Sequence, residues 1–268
     1  MIKQNLHTHS NYCDGKCSLE EMILSAIQKG YDSIGFSSHI KTVFPSVALQ
    51  DKTGYFNELK ILKEKYADKI KIYIGGEFDL YSTDNVKDYD YTIGSVHFDN
   101  INGVIISYDT KYQEVIDGIN KVFDGDVKKF IKAYFEAVKR LPDAFDFDIV
   151  GHLDIVTKHN LLHNVFDEND EYFRDLAIDC AEYLISKGKT IFEVNFGGIK
   201  RGYKTYPYPA PWLIKELVKL GAKFIITSDA HDVDHLIDDY NEPIVLLKSL
   251  GVTEIMYFDG KNFVPQKI

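Results

Sequence analysis

Apolar residues recur along this chain with two periods that take turns from end to end. Alternating or short unbroken apolar runs predict strands over 2–8, 32–38, 71–77, 91–97, 147–152, 190–196, 223–227 and 254–258. Between them, apolar positions at helical spacing predict helices over 18 to about 30, through 56–63, from about 127 to 141, near 171–187 and from about 211 onward. Ser18-Leu19-Glu20-Glu21 is a capping box for the first helix, and Pro142 is expected to close the helix that precedes it. Pro45 marks a loop, 100–108 reads as a hairpin-like excursion, and the glycine-bearing stretch 197–202 reads as a loop. Strand and helix alternating this regularly imply a parallel sheet with right-handed crossovers. The fold class is α/β, and a closed or nearly closed TIM-like barrel of about seven β/α units is the economical arrangement. An open doubly wound sheet is the alternative, since strand order is invisible in sequence. No composition break or linker divides the 268 residues, so 1–268 is expected to form a single domain.

Composition narrows the function classes. An apolar share of 45% with 13% aromatic residues suffices for a large core, and a net charge of −10 argues against a nucleic-acid binder. Cys13 and Cys17 lack the paired spacing of a zinc knuckle, an odd count of three is no disulfide framework, and Cys180 lies in a helical pattern as a core residue, so all three read as reduced thiols. No leader pattern or apolar run of membrane-spanning length is present, and a soluble cytoplasmic protein is expected.

The chemistry lies where strands end. His7 and His9 are two apart at the end of the first predicted strand, so both imidazoles point to one side and can converge on one ion. His39, Glu77, His97, His152, Asp229 and His231 also lie at or just past predicted carboxyl ends, and Asp14 sits in the loop after the first strand. In a barrel those ends share one mouth. Satisfied core histidines are the bland alternative, but six imidazoles converging with three carboxylates would be costly to desolvate without cations. So many ligands exceed one four-coordinate zinc, and two or three divalent ions (zinc, iron or manganese) fit better, with Glu77 or Asp229 bridging. His159, His163 and His235 fall outside this pattern and are expected to be exposed or supporting residues.

His7-Thr8-His9, Asp14, His39, Glu77, His97, His152 and Ser228-Asp229-Ala230-His231, taken in order, resemble the PHP (polymerase and histidinol phosphatase) superfamily of trinuclear metallo-phosphoesterases. The resemblance implies a distorted (β/α)7 barrel. It also implies one metal on His7, His9, Glu77 and Asp229, a second on Asp14, His39 and His231, and a third on Glu77, His97 and His152. Glu77, Asp229 and His231 are the catalytic candidates among them. Asp14 stands where several relatives have a histidine. Within the superfamily, the chain length, Glu193-Val194-Asn195 and Tyr206-Pro207 resemble stand-alone histidinol-phosphate phosphatases. Where typical members read Asn-Thr-Ser-Gly-Leu-Arg-Lys, this chain reads Asn195-Phe196-Gly197-Gly198-Ile199-Lys200-Arg201, with arginine and lysine exchanged.

The activity so implied is hydrolysis of L-histidinol phosphate, a small phosphorylated metabolite of histidine biosynthesis, by a metal-held hydroxide. Lys200 and Arg201 are candidates for the phosphate oxygens, against the alternative of a solvated cationic pair. Asn195, Tyr206, Asp79 and Phe78 are candidates for the rest of the substrate. The rivals are a phosphoesterase of the same fold acting on nucleotides, nucleic-acid ends or phosphotyrosine; an amidohydrolase, whose bridging lysine or ligand order is not seen; and a non-catalytic, metal-stabilised binding domain.

Overall fold

A computed structural model describes residues 2–42 and 47–268. Pro45, expected to mark a loop, lies outside the described residues. The strands are β1 Gln4–Asn5, β2 Ser33–Phe36, β3 Lys71–Asp79, β4 Tyr91–Ser95, β5 Phe98–Ile101, β6 Val104–Ser107, β7 Ile149–Val150, β8 Ile191–Asn195, β9 Lys223–Thr227, β10 Glu254–Phe258 and β11 Phe263–Lys267. The helices are α1 Leu19–Gln28, α2 Lys52–Lys65, α3 Tyr112–Phe123, α4 Val127–Ala144, α5 Asn160–His163, α6 Glu171–Ser186, α7 Gly197–Lys200, α8 Pro211–Lys219 and α9 Asn241–Ser249.

Seven strands pair in the order β1-β2-β3-β4-β7-β8-β9, every pair parallel. The order follows the chain without reversal, which rules out the doubly wound sheet. Past Asn5 the first strand runs on to meet the last. His9 N–H donates to Ala230 O at 2.8 Å and Ala230 N–H to His7 O at 3.1 Å, so the sheet curls into a nearly closed barrel. The barrel interior is filled by Leu6, Tyr73, Tyr91, Ile93, Ile149 and Ile225, together with Phe258 from β10. Tyr91 is too large for an ordinary barrel layer and is accommodated by glycine: a Cβ on Gly75 would lie 2.2 Å from its ring. The larger core lies between the strands and the surrounding helices. No helix among the described residues is long and apolar enough to cross a membrane.

Two stretches depart from the expected pattern. Pro142 sits inside α4 instead of ending it, because a proline one turn from the end forfeits a single hydrogen bond and Phe145 N–H still reaches Leu141 O at 3.1 Å. The stretch 197–202 contains the one-turn helix α7. Asn195 Oδ1 starts that turn by accepting Gly197 N–H at 2.8 Å, and its glycine permits contact with Ser228 O, which a Cβ would approach to 2.4 Å. The capping box forms as expected, with Ser18 N–H donating to Glu21 Oε2 at 2.8 Å and Glu21 N–H to Ser18 Oγ at 3.3 Å. The excursion at 100–108 is the β5–β6 hairpin. The β10–β11 hairpin, of which the apolar pattern shows only β10, closes the amino-terminal end of the barrel. Gln4 holds it by donating to Phe258 O at 2.9 Å and accepting Phe258 N–H at 2.8 Å.

Candidate metal centre

The side chains at the carboxyl ends of the strands meet around Glu77, near the end of β3. Its two oxygens face different histidines. Oε2 lies 3.3 Å from His7 Nε2, 3.5 Å from His9 Nε2 and 3.0 Å from His39 Nδ1. Oε1 lies 3.0 Å from His152 Nε2 and 3.4 Å from His97 Nε2. Asp229 Oδ1 closes the first set at 3.4 Å from His7 Nε2 and 3.0 Å from His9 Nε2. Nearer the mouth, Asp14 Oδ2 lies 3.6 Å from His39 Nε2 and 3.2 Å from His231 Nε2. All nine residues expected at the centre are thus brought together.

Their donor atoms form four overlapping groups, each with ligand atoms within 4.8 Å of one another: His9, Asp14, His39 and His231; His7, His152 and Asp229; His7, His9 and Glu77; and His39, Glu77 and His97. Divalent cations fit this arrangement. His7 Nε2, His9 Nε2 and Glu77 Oε2 are buried and make no hydrogen bond, although each lies close to a group of complementary charge. Imidazole nitrogen and carboxylate oxygen are also the donor set of zinc, iron and manganese.

The charges show the same demand. Burial pulls the His7 imidazole down, but Glu193, Glu77 and Asp229 together hold it well above its ordinary range. Burial likewise disfavours charge on His97, yet Glu77 and a hydrogen bond to Asp79 raise it to about 9. Against burial, His7, His39 and His97 hold Glu77 well below the usual carboxylate range. His9 goes the other way, to about 3, through burial and the neighbouring His231 and His39. Without a cation, protons on histidines such as His7 and His97 offset these ionised carboxylates; a metal takes the protons' place.

Carboxylates outside the cluster aim the rings. Glu193 Oε2 accepts from His7 Nδ1 at 2.8 Å, which leaves Nε2 facing Glu77 and Asp229. Thr227 Oγ1 donates to the same oxygen at 2.8 Å. Asp79 Oδ2 accepts His97 N–H at 2.7 Å and lies 3.1 Å from His97 Nδ1. Strand alternation explains these roles. Glu77 and Asp79 share the inward side of β3, as Glu193 and Asn195 share that of β8. The same rule corrects Phe78, expected at the substrate: lying between two inward residues it points outward, buried against Tyr89 and Phe145.

Asp79, Asn195 and Tyr206 are also placed away from the expected substrate contacts. Asp79 is taken up by His97. Asn195 is fully buried, donating to Glu193 Oε1 at 3.0 Å and shaping the turn into α7. Tyr206 donates to Glu168 Oε2 at 2.6 Å, outside the cavity above the cluster.

That cavity, about 510 Å³, has Asp14, His39, His97, Asp229 and His231 on its floor and Lys158, Lys200, Arg201, Asp109 and Tyr203 among its walls. Arg201 is largely buried; its Nη2 donates to Asp229 Oδ2 at 2.7 Å and its Nη1 lies 3.1 Å from His231 Nδ1. Lys200 is more exposed and donates to Asp238 Oδ2 at 2.8 Å. Sequence reasoning missed Lys158, whose Nζ donates to Asp109 Oδ2 at 3.2 Å. Its only signal was a cation shortly after the strand-end His152. His235, expected off the site, lines the cavity, whereas His159 bonds Thr110 O at 2.7 Å and His163 stacks on Tyr112.

The chain is similar to known proteins in sequence and in fold. The chain is similar to a "Probable histidinol-phosphatase" of Schizosaccharomyces pombe, 27% identical and covering 98% of this chain and 92% of that protein. It is 26% identical to a histidinol-phosphatase of Lactococcus lactis subsp. lactis, covering 100% of this chain and 98% of that one. In fold it resembles the crystal structure of the Lactococcus lactis histidinol phosphate phosphatase complexed with zinc, L-histidinol and phosphate, with a TM-score of 0.73, 22% identity and 98% of each chain covered. The PHP domain model matches residues 5–196, a stretch that runs from the first strand to the end of β8 and includes Glu77 with all but two of the nine clustered residues. On that match over most of its length, the chain belongs to the PHP domain family.

Proposed function

We propose that this chain is a metal-dependent phosphomonoesterase that hydrolyses L-histidinol phosphate to L-histidinol and phosphate, with 1–268 acting as one domain. The observation that carries the reading is Glu77, its two oxygens turned to separate histidine sets beneath a cavity walled by cations. The names of the similar proteins supply the substrate. In this reading His7, His9, Glu77 and Asp229 hold one divalent ion, Asp14, His39 and His231 a second, and Glu77, His97 and His152 a third. Bound there, such ions make hydroxide available near neutral pH and neutralise a phosphoryl group.

The chain's own residues do the rest. Arg201, fixed by Asp229, presents its remaining N–H donors to the phosphate oxygens as a rigid fork, and Lys158, which also lines the cavity, adds a point charge. Lys200, tied to Asp238 at the rim, contributes less. Asp109 offers a carboxylate to the substrate ammonium, and Tyr203 and Ile155 offer apolar wall to its imidazole. Cys13, Cys17 and Cys180 are unpaired thiols, which accords with a cytoplasmic setting. Phosphate release from histidinol phosphate, nucleotides and phosphotyrosine tests the assignment. Histidinol phosphate is expected to lead. Preference for another substrate by tenfold in kcat/KM, about 1.4 kcal/mol of transition-state binding, would remove the histidinol assignment.

A further inference from the structure

Lys204 is a buried cation that the chemistry above does not use. Its side chain is 1% exposed and its ammonium donates to Glu168 Oε1 at 2.7 Å, Thr157 Oγ1 at 3.0 Å and Tyr206 OH at 3.0 Å. Tyr206 completes the ring by donating to Glu168 Oε2 at 2.6 Å. Thr157 and Glu168 belong to the segment after β7, and Lys204 and Tyr206 to the segment after β8. The network therefore joins two loops that share no strand pairing.

Both loops carry cations of the cavity wall, Lys158 in the first and Lys200 and Arg201 in the second. Lys158 directly follows Thr157. Arg201 caps α7, and the N–H groups of Tyr203 and Lys204 donate to Gly198 O in that helix at 2.8 and 3.1 Å. The loops touch again where Lys158 Nζ lies 5.0 Å from the Tyr203 ring centroid. A buried ion pair is a poor way to gain stability, since removing two charges from water offsets most of their attraction. It is a good way to set geometry, because an ammonium with three fixed acceptors allows one placement of the loops.

We infer that Glu168 and Lys204 are positioning residues that set the spacing of Lys158 and Arg201, and so tune the grip on phosphate. This rests on the phosphatase reading. The test uses metal-loaded full-length enzyme with histidinol phosphate as substrate and inorganic phosphate as inhibitor. Two variants are compared with wild type: Glu168→Gln, and the double variant Glu168→Leu with Lys204→Met, which removes both members of the ion pair. Both are expected to raise KM and the inhibition constant of inorganic phosphate together, roughly tenfold, with kcat within about threefold and zinc content unchanged. A network that serves stability alone would lower Tm without moving either constant. A double variant with the wild-type inhibition constant, or one that loses zinc, overturns the inference even if Glu168→Gln fails to fold. Wild-type enzyme that releases no phosphate from histidinol phosphate would instead overturn the phosphatase reading, and the inference with it.

Discussion

The two ends of the barrel are built by the same seven strands and solve opposite problems. At the amino-terminal end, Phe258 packs on Tyr73 and Phe263, with ring centroids 5.0 and 5.1 Å apart, and the buried Gln4 amide has backbone partners. Burial there is favourable by itself, and the polar atoms are satisfied. At the carboxyl-terminal end, His7, His9, Glu77 and His152 are as deeply buried, yet His7 Nε2, His9 Nε2 and Glu77 Oε2 make no hydrogen bond. That end is costly as it stands, and cations make it favourable. The difference shows that the plug and outer helices carry the fold, while the mouth is arranged for chemistry.

Substitutions at the two ends should therefore separate activity from stability. The largest effect is expected from Glu77→Gln, which leaves one oxygen to serve both histidine sets. Its kcat should fall by about three orders of magnitude or more, with reduced zinc content by elemental analysis and little change in the chelated protein's fold. A loss as small as that of a wall cation, with zinc retained, would show that Glu77 is not shared. At the other end, Phe258→Ala should cost about 3–5 kcal/mol in denaturant unfolding while kcat per folded molecule stays near wild type. A large loss of kcat at full folding would break the division between the ends.

Next is Arg201→Ala, expected to raise KM by about ten- to a hundredfold with zinc retained, because it removes a fork and leaves the floor in place. An unchanged KM would move the phosphate grip to Lys158. Proton release sharpens the same contrast. His97 is held at about 9 in the metal-free protein, against 6.5 for a free imidazole. Its proton thus favours the metal-free fold fully below pH 6.5, and that contribution fades as pH rises through about 9. Adding zinc to chelated protein at pH 7.5 should release about one proton or more, less above pH 9; calorimetry in buffers of differing ionisation enthalpy reads it. The smallest effect is expected for Lys200→Ala, within about threefold in KM, since its exposed pair with Asp238 is screened by solvent. A change matching that of Arg201→Ala would make the rim part of the grip.

How much of this was legible in sequence depended on whether a residue's role was local. Strand positions and the alternation of side chains are local, so spacing alone places His7, His9, Glu77 and Asp229 at strand ends and on one face. Alternation, applied consistently, also turns Phe78 outward and Glu193 inward. The capping box at Ser18 was legible for the same reason, since its bonds span three residues. Lys158, Asp109 and Tyr206 were not, because their roles depend on which loop faces which.

By itself, then, the sequence determined the seven-strand alternation and the nine clustered side chains, because period and spacing are properties of the chain. Only the tertiary structure decided that β1 meets β9, that Glu77 divides its oxygens between two histidine sets, and that Arg201 faces the cavity while Lys200 sits at the rim. Those are contacts between residues as much as 223 positions apart, as with Asn5 and Ser228. Ring closure and loop packing select such pairs, and no local preference of the chain encodes them.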